Sequence, residues 1–454
     1  MASGKRLSAG AIAWAVFEGV RVPYVILVTI YVFMPYFATT VVGDPVQGQA
    51  AVAQYGKIGG WIVALTAPFL GAAVDRMGPR KPWLGAVTTL MVALAGLLWW
   101  TLPDGSGLSV GQVIAIAAAL TVLYAYGEML HNALLPRAAP GREHLASGLG
   151  LALGNAISTA MLVFVMAAFV LPGKVDWAFI PSAPLFGLDP ASHEPERIVA
   201  PIVALVMAIG CLPLFFLTPD APRTGIGATA ALRGAAGDLK RLITQARGHK
   251  NALTFLVARM LYADGKTAIL LFGGVYAAGV MRWGPLELLA YGIILSIVAV
   301  GGGLFGAWLD GRLGPKRALQ IEIVLILISQ AAVLGGGYDR ILYSPASTAV
   351  LWDAPMFRTL PELAFLAAAF LTAIGVTAAY ASSRTLLVKL VPEKESGVFF
   401  GLYALSGNAT YWLAPALVEG FTRGFGTQQA GFYPVIGLLL AGLALLTFVE
   451  APER

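Results

Sequence analysis

Twelve stretches of predominantly apolar residues, each about 20 residues or longer, run through the chain. Each is long enough to cross roughly 30 Å of hydrocarbon as a helix, and backbone groups in lipid must be satisfied within the segment, which a helix does. The first six cover 10–38, 57–74, 83–102, 110–135, 146–171 and 198–218, and the second six cover 252–280, 286–309, 318–337, 360–388, 396–421 and 430–449. Composition agrees: 58% of the 454 residues are hydrophobic, 12% are charged, and mean hydropathy is +0.77. That balance is outside the range of a soluble domain. The expectation is an all-α integral membrane protein of twelve transmembrane helices in two six-helix bundles, 1–218 and 251–454, joined by a polar linker over 219–250.

The basic residues set the topology. Alternate loops collect nineteen Lys and Arg on one side, including Arg223, Arg233, Lys240, Arg241, Arg247 and Lys250 of the linker, against seven on the other, Lys57 among them. The positive-inside rule then places both termini and the linker in the cytoplasm, and the reading locates the chain in a bacterial inner membrane. The net charge of +6 therefore reports topology and implies no nucleic-acid partner. Cys211 is the one cysteine, so no disulfide framework can form within the chain, and a metal or redox site built on thiolates is not expected. No cleavable leader pattern is expected, because the first apolar run is too long and carries charge in its middle. The outward loops 172–197 and 338–358 are long enough for short surface segments.

The halves repeat. GAAVDRMGPRK (Gly71–Lys81), between the second and third spans, has a counterpart in GAWLDGRLGPKR (Gly306–Arg317), between the eighth and ninth. LLPRAAPGREHLASGLGLALGNA (Leu134–Ala156) likewise matches LLVKLVPEKESGVFFGLYALSGNA (Leu386–Ala409). Two related halves of six helices are a transporter pattern.

The Gly71, Asp75, Arg76, Gly78, Arg80, Lys81 pattern resembles the loop signature of the major facilitator superfamily, with Asp310, Arg312 and Gly314 in its weaker copy. A narrower resemblance, to the vacuole effluxer family, is carried by WAVFEGV and YVFMPYFA in the first span, HNALLPRAA after the fourth, MLYADG in the seventh, and SSRTLLVKLVPE with FFGLYALSGNA near the tenth and eleventh. The eukaryotic members of that family are associated with autophagy and export of amino acids from the vacuole. Here Phe17-Glu18-Gly19 stands where the family leads one to expect an aspartate between Tyr and Trp. The resemblance implies alternating access, with Asp75 and Asp310 as gating residues that face a helix N-terminus or a loop arginine. It also implies a cavity lined by spans one, four, seven and ten.

All of the noted intramembrane charges, Glu18, Arg21, Glu128, Arg259, Asp264, Lys266 and Arg384, together with His131, fall on those four spans. Charges at that depth are costly and usually functional. Glu18 and Arg21 share one helical face and can neutralise each other; Glu18-Gly19 corresponds to Asp264-Gly265 of the seventh span. Asp264 and Lys266 point in different directions, so Asp264 is expected to meet Arg384 or Arg21. Arg259 also reads as a snorkelling residue. Carboxylates beside arginines can carry protons, and arginines can hold a solute carboxylate or phosphate. His131 is either a proton relay or a ring satisfied by backbone. Asn132, Asn155, Asn408 and Tyr411 serve either a cavity or helix packing; Tyr24, Tyr262, Tyr380 and Trp412 either shape it or anchor the interface.

These readings describe a monomeric secondary transporter of a small polar or zwitterionic solute, an amino acid or organic acid, embedded in the bilayer. It uses no bound cofactor and is driven by a proton gradient, with Na⁺ as the other candidate ion. The alternatives are a promiscuous drug or metabolite exporter on the same fold and a membrane receptor or lipid-handling protein that moves no solute. No Walker motif supports ATP hydrolysis, and no nucleophile–base pair or metal cluster supports an enzyme.

Overall fold

The computed structural model describes residues 7–246, 248–391 and 396–450. Its helices, in chain order, are α1 (Ala9–Val41), α2 (Pro45–Met77), α3 (Lys81–Leu97), α4 (Val110–Ala138), α5 (Glu143–Val165), α6 (Glu194–Leu217) and a linker helix α7 (Ala228–Ala246). The second half runs α8 (Lys250–Val280), α9 (Pro285–Leu313), α10 (Pro315–Leu334), α11 (Leu360–Leu390), α12 (Ser396–Ala409), α13 (Leu413–Phe425) and α14 (Tyr433–Thr447). Among the described residues ten helices are long and apolar enough to cross a membrane. The other two expected spans correspond to α8, whose charges lower its hydropathy, and to α12–α13, broken at Thr410–Trp412. The arrangement is consistent with twelve crossings.

Local sequence explains the helix ends. Asp44 accepts from the Gln47 N–H ahead of Pro45, while Ser109 with Gln112 and Thr359 with Glu362 form reciprocal capping boxes. Pro23 and Pro35 interrupt the α ladder of α1, which widens over Tyr24–Tyr31 and again over Phe37–Val41. The start of α2 corrects the expected span 57–74. Glutamines and glycines dilute its first turns below an apolar signature, and Lys57, counted as a loop cation, lies about three turns inside the helix.

The helix pairings repeat between halves. In the first, α1 packs on α5 and α6, α2 on α4, and α3 on α4 and α6; in the second, α8 packs on α12 and α14, α9 on α11, and α10 on α11 and α14. Gly302 of α9 makes one of these approaches close, because a Cβ there would sit 2.8 Å from the backbone of Ile374 in α11. The halves meet through α1–α8, α2–α13 and α5–α9.

At the end of the molecule away from the linker, these contacts form a lock. The buried Gln49 amide on α2 donates to Thr422 Oγ1 at 2.8 Å and to the Gln428 carbonyl at 2.9 Å. Lys57 pairs with Glu419, Trp61 stacks on Trp412 at 4.0 Å, and Tyr31 meets Tyr291 edge-on. The outer loops carry short surface elements: single helical turns at Leu185–Gly187 and Pro190–Ser192, and a hairpin of β1 (Arg340–Ile341) and β2 (Ser344–Pro345).

Candidate substrate and coupling site

In the first half Glu18 and Arg21 are bound to each other. Arg21 Nη2 donates to both carboxylate oxygens, at 2.8 and 3.0 Å, and Nε to one at 3.2 Å. Arg21 is 2% exposed. Its guanidinium lies 4.2 Å over the Tyr124 ring of α4, and its Nη1 has no hydrogen-bond partner among the described residues. The fully buried His131 approaches Glu18 from the other side, with Nδ1 3.4 Å from Oε2. Its Nε2 lies 2.9 Å from the Trp14 carbonyl, and its ring stacks between Trp14 and Phe17. Nε2 is thus committed to the backbone, while Nδ1 has no hydrogen-bond partner among the described residues and meets Glu18 only as a close contact.

Glu128 is exposed and close enough to Arg21, Tyr124, Tyr380 and Tyr411 to act on each electrostatically. Tyr380 and Tyr411 belong to the second half, so this carboxylate faces the space between halves. Asn132, one turn on, is exposed as well.

In the second half the charges are held apart. Asp264 meets neither Arg384 nor Arg21; among the described residues it forms no ion pair, and its Oδ2 accepts from the Ala414 N–H at 3.1 Å. The break before α13 exposes that amide at the positive end of a half-helix, a ready-made anion site. Lys266, 1% exposed, sets its ammonium 3.8 Å from the Tyr380 ring and forms no ion pair among the described residues. Arg384 is exposed and within electrostatic reach of Lys266. Arg259 does not snorkel: it donates at 2.7 Å to the Tyr403 carbonyl and Ser406 Oγ and lies on the Tyr403 ring, tying α8 to α12. Tyr262, fully buried, is part of the same seam through hydroxyl contacts running from Tyr262 to Ser383 to Tyr403.

Asn155 is exposed toward a cavity of about 210 Å³ between the halves, otherwise lined mainly by apolar residues such as Val25, Ile269 and Phe365. Asn408 is half-buried beside the helix break, and Tyr411 lies within electrostatic reach of both Asp264 and Glu128.

The loop after α2 is held by the linker. Gly78 turns with φ +99°, and the Arg80 and Lys81 N–H groups donate to Asp220 at 2.9 Å. Arg76 makes a two-pronged pair with Asp238 of α7 at 2.7 and 2.8 Å, which keeps the Asp238 carboxyl below the ordinary carboxylate range. Gly71 faces Met129. The Asp75 side chain lies outside the described residues. Asp310 departs from its expected arginine or helix-end contact, since its buried Oδ1 has no partner among the described residues, while Arg312 lies on the Trp308 ring and Gly314 turns with φ +79°.

Sequence reading missed three intramembrane charges. Lys57 was hidden by the misplaced start of α2. Glu419 and Glu322 are isolated acids within apolar runs, and that isolation is itself a signal.

The comparisons agree with this architecture. The family model for vacuole effluxer Atg22-like proteins matches residues 41–453. An uncharacterized MFS-type transporter of Bacillus subtilis, YxiO, is 23% identical over 99% of this chain and 96% of its own length. Autophagy-related protein 22 of Yarrowia lipolytica is 26% identical over 45% of this chain, spanning only 33% of that protein. Among solved structures, a point mutant of the nucleoside transporter NupG aligns with a TM-score of 0.64 at 15% identity, covering 97% of this chain and 100% of that one. A D-xylose–proton symporter aligns at 0.61 and 14% identity, covering 97% and 98%. These last two likenesses show the fold alone. On its family match and its fold, the chain is a multi-pass membrane transporter of the major facilitator type, not an enzyme, and belongs to the Atg22-like vacuole effluxer family.

Proposed function

We propose that the protein is a proton-coupled secondary transporter of a small zwitterionic or anionic solute, of the amino-acid or organic-acid class, working by alternating access. The observation that carries this reading is the uncommitted Nη1 of Arg21 beside the exposed Glu128 carboxylate, with the exposed Arg384 on the opposite half. A solute bearing both signs meets a carboxylate for its ammonium group and a guanidinium for its carboxylate. Residues 1–218 and 251–454 rock as two bodies around this site, joined by 219–250, in a monomer with both termini cytoplasmic in a bacterial inner membrane. The lock at Gln49, Lys57 and Trp61 closes one end, and Asp75 and Asp310 gate the other.

Uptake of labelled amino acids, organic acids and short peptides into proteoliposomes under an imposed pH gradient tests this directly. Accumulation that follows the gradient and falls at least tenfold in Glu128→Gln and Arg384→Gln supports it. Gradient-driven uptake that is unaltered by both substitutions refutes it. The apolar cavity beside Asn155 favours a second reading, export of apolar metabolites, which efflux of apolar dyes without amino-acid transport would establish.

A further inference from the structure

A carboxylate outside the central cluster is unaccounted for. Glu322 of α10 is 0% exposed; Ser382 Oγ of α11 donates to its Oε1 at 2.8 Å, and its Oε2 has no partner among the described residues. A carboxylate charge left with one hydroxyl in this setting is poorly compensated. The ionisable groups facing it come from two helices. From α8, Lys266 and Tyr262 interact with it electrostatically, and Arg259 acts on both of them. From the linker end of α9 comes Asp310, itself carrying a buried, unpartnered Oδ1. From α11 the contact is Ser382, with Arg384 acting on Lys266; α14 contains no Asp, Glu, Lys, Arg or His.

These groups fall in order along the second half. Asp310 sits in the last turn of α9, Glu322 about two turns into α10, and Lys266 at mid-helix in α8 against Tyr380. When Pro79 is aligned with Pro315, the counterpart of Glu322 in α3 is Ala86, so the first half lacks this acid.

We propose that Glu322 is a proton-carrying site that relays protons between Lys266 and Asp310 through the second half, apart from the solute. The two are not paired in this state; when Lys266 Nζ swings from the Tyr380 ring to within hydrogen-bond reach of Oε2, an N–H bond of its ammonium breaks as an O–H bond forms on Glu322. The products are a neutral amine beside Tyr380 and a neutral acid beside Ser382. The proton then passes to the Asp310 carboxylate and to solvent at the linker end, restoring the Glu322 carboxylate, while Lys266 regains a proton from the central site. The role as a coupling step rests on the proton-coupled reading above; the protonation of Glu322 does not.

Infrared difference spectroscopy of the purified protein in lipid, titrated across pH, reads protonated carboxyl groups without any solute. A protonated-carboxyl band that is lost in Glu322→Gln, and whose pH dependence changes in Lys266→Met, supports the proposal. A band undiminished in Glu322→Gln, or unaffected by Lys266→Met, overturns it, a residual band in Glu322→Gln being assigned to Asp264, the other buried and unpaired carboxyl among the described residues, by its loss in Asp264→Asn. Gel filtration and thermal unfolding check that both variants are folded, and Ser382→Ala, which alters only the hydroxyl contact, is expected to move the band. In proteoliposomes Glu322→Gln is expected to lose gradient-driven accumulation at least tenfold while retaining solute counterflow; loss of both together overturns the relay. If wild-type protein moves none of the tested solutes, the transport reading fails while the spectroscopic result still decides the site.

Discussion

The two halves share helix pairings but not charge chemistry. In the first half Glu18, Arg21 and His131 are joined in one cluster, and the exposed Glu128 stands beside it. In the second, Asp264 rests on a backbone amide, Lys266 on an aromatic ring and Glu322 on a hydroxyl, with no ion pair among them. Duplication preserves the scaffold because helix packing tolerates few alternatives, whereas single charges can be redeployed. A paired cluster holds its geometry; singly held charges can change protonation without breaking a partner.

The largest expected effect comes from breaking the paired cluster. Glu18→Ala leaves the Arg21 charge buried and uncompensated, and is expected to cost about 3–5 kcal/mol, read as the loss in unfolding free energy in detergent. The double variant Glu18→Ala/Arg21→Met should recover much of that; equal losses in single and double variants would show that the pair is not the source. Next, Gln49→Ala leaves Thr422 and the Gln428 carbonyl without their amide donor. It is expected to cost about 1–3 kcal/mol and to widen distances between spin labels on α2 and α13 at the locked end. An unchanged distance distribution would show that the lock does not depend on this amide.

Lys266→Met probes the singly held type. Removing a buried charge that lacks an ionic partner also removes its desolvation cost, so the unfolding free energy should stay level or rise. A loss as large as that of Glu18→Ala would erase the distinction between the halves. The smallest effect belongs to a loop outside both interiors. His193 Nδ1 lies 3.3 Å from Glu196, and that contact raises the ring above its ordinary value of 6.5. The raised folded-state value means that the stabilisation is complete below about pH 6.5 and fades as pH rises through the higher value. Since the side chain is partly exposed, the effect is well under about 1 kcal/mol. Melting curves at pH 5.5 and 8.5 should converge more closely in His193→Gln than in wild type.

Sequence made the spans, the repeat and the central charges legible, because each is written in local composition or periodicity. Glu18 and Arg21 were readable as a pair since three residues along a helix put them on one face. Asp264 was not, because its partner is an amide freed by a helix break 150 residues away. Lys57 and Glu419 belong to different halves, and no local pattern links them. Glu322 is an acid in an apolar run that sequence reading passed over, and its relation to Lys266 exists only once α8, α10 and α11 are packed.

The linker's hold on the first half bears on how the chain could be divided. Asp220, Thr224 and Asp238 all bond to the end of α2 or the turn after it, so 219–246 behaves as an extension of the first half before it reaches the second. Two polypeptides separated just after this segment should therefore assemble when co-expressed, each carrying complete helices. A cut near residue 218 would instead strip the first fragment of its clamp, and co-purification yield from the two split sites would measure how much that clamp matters.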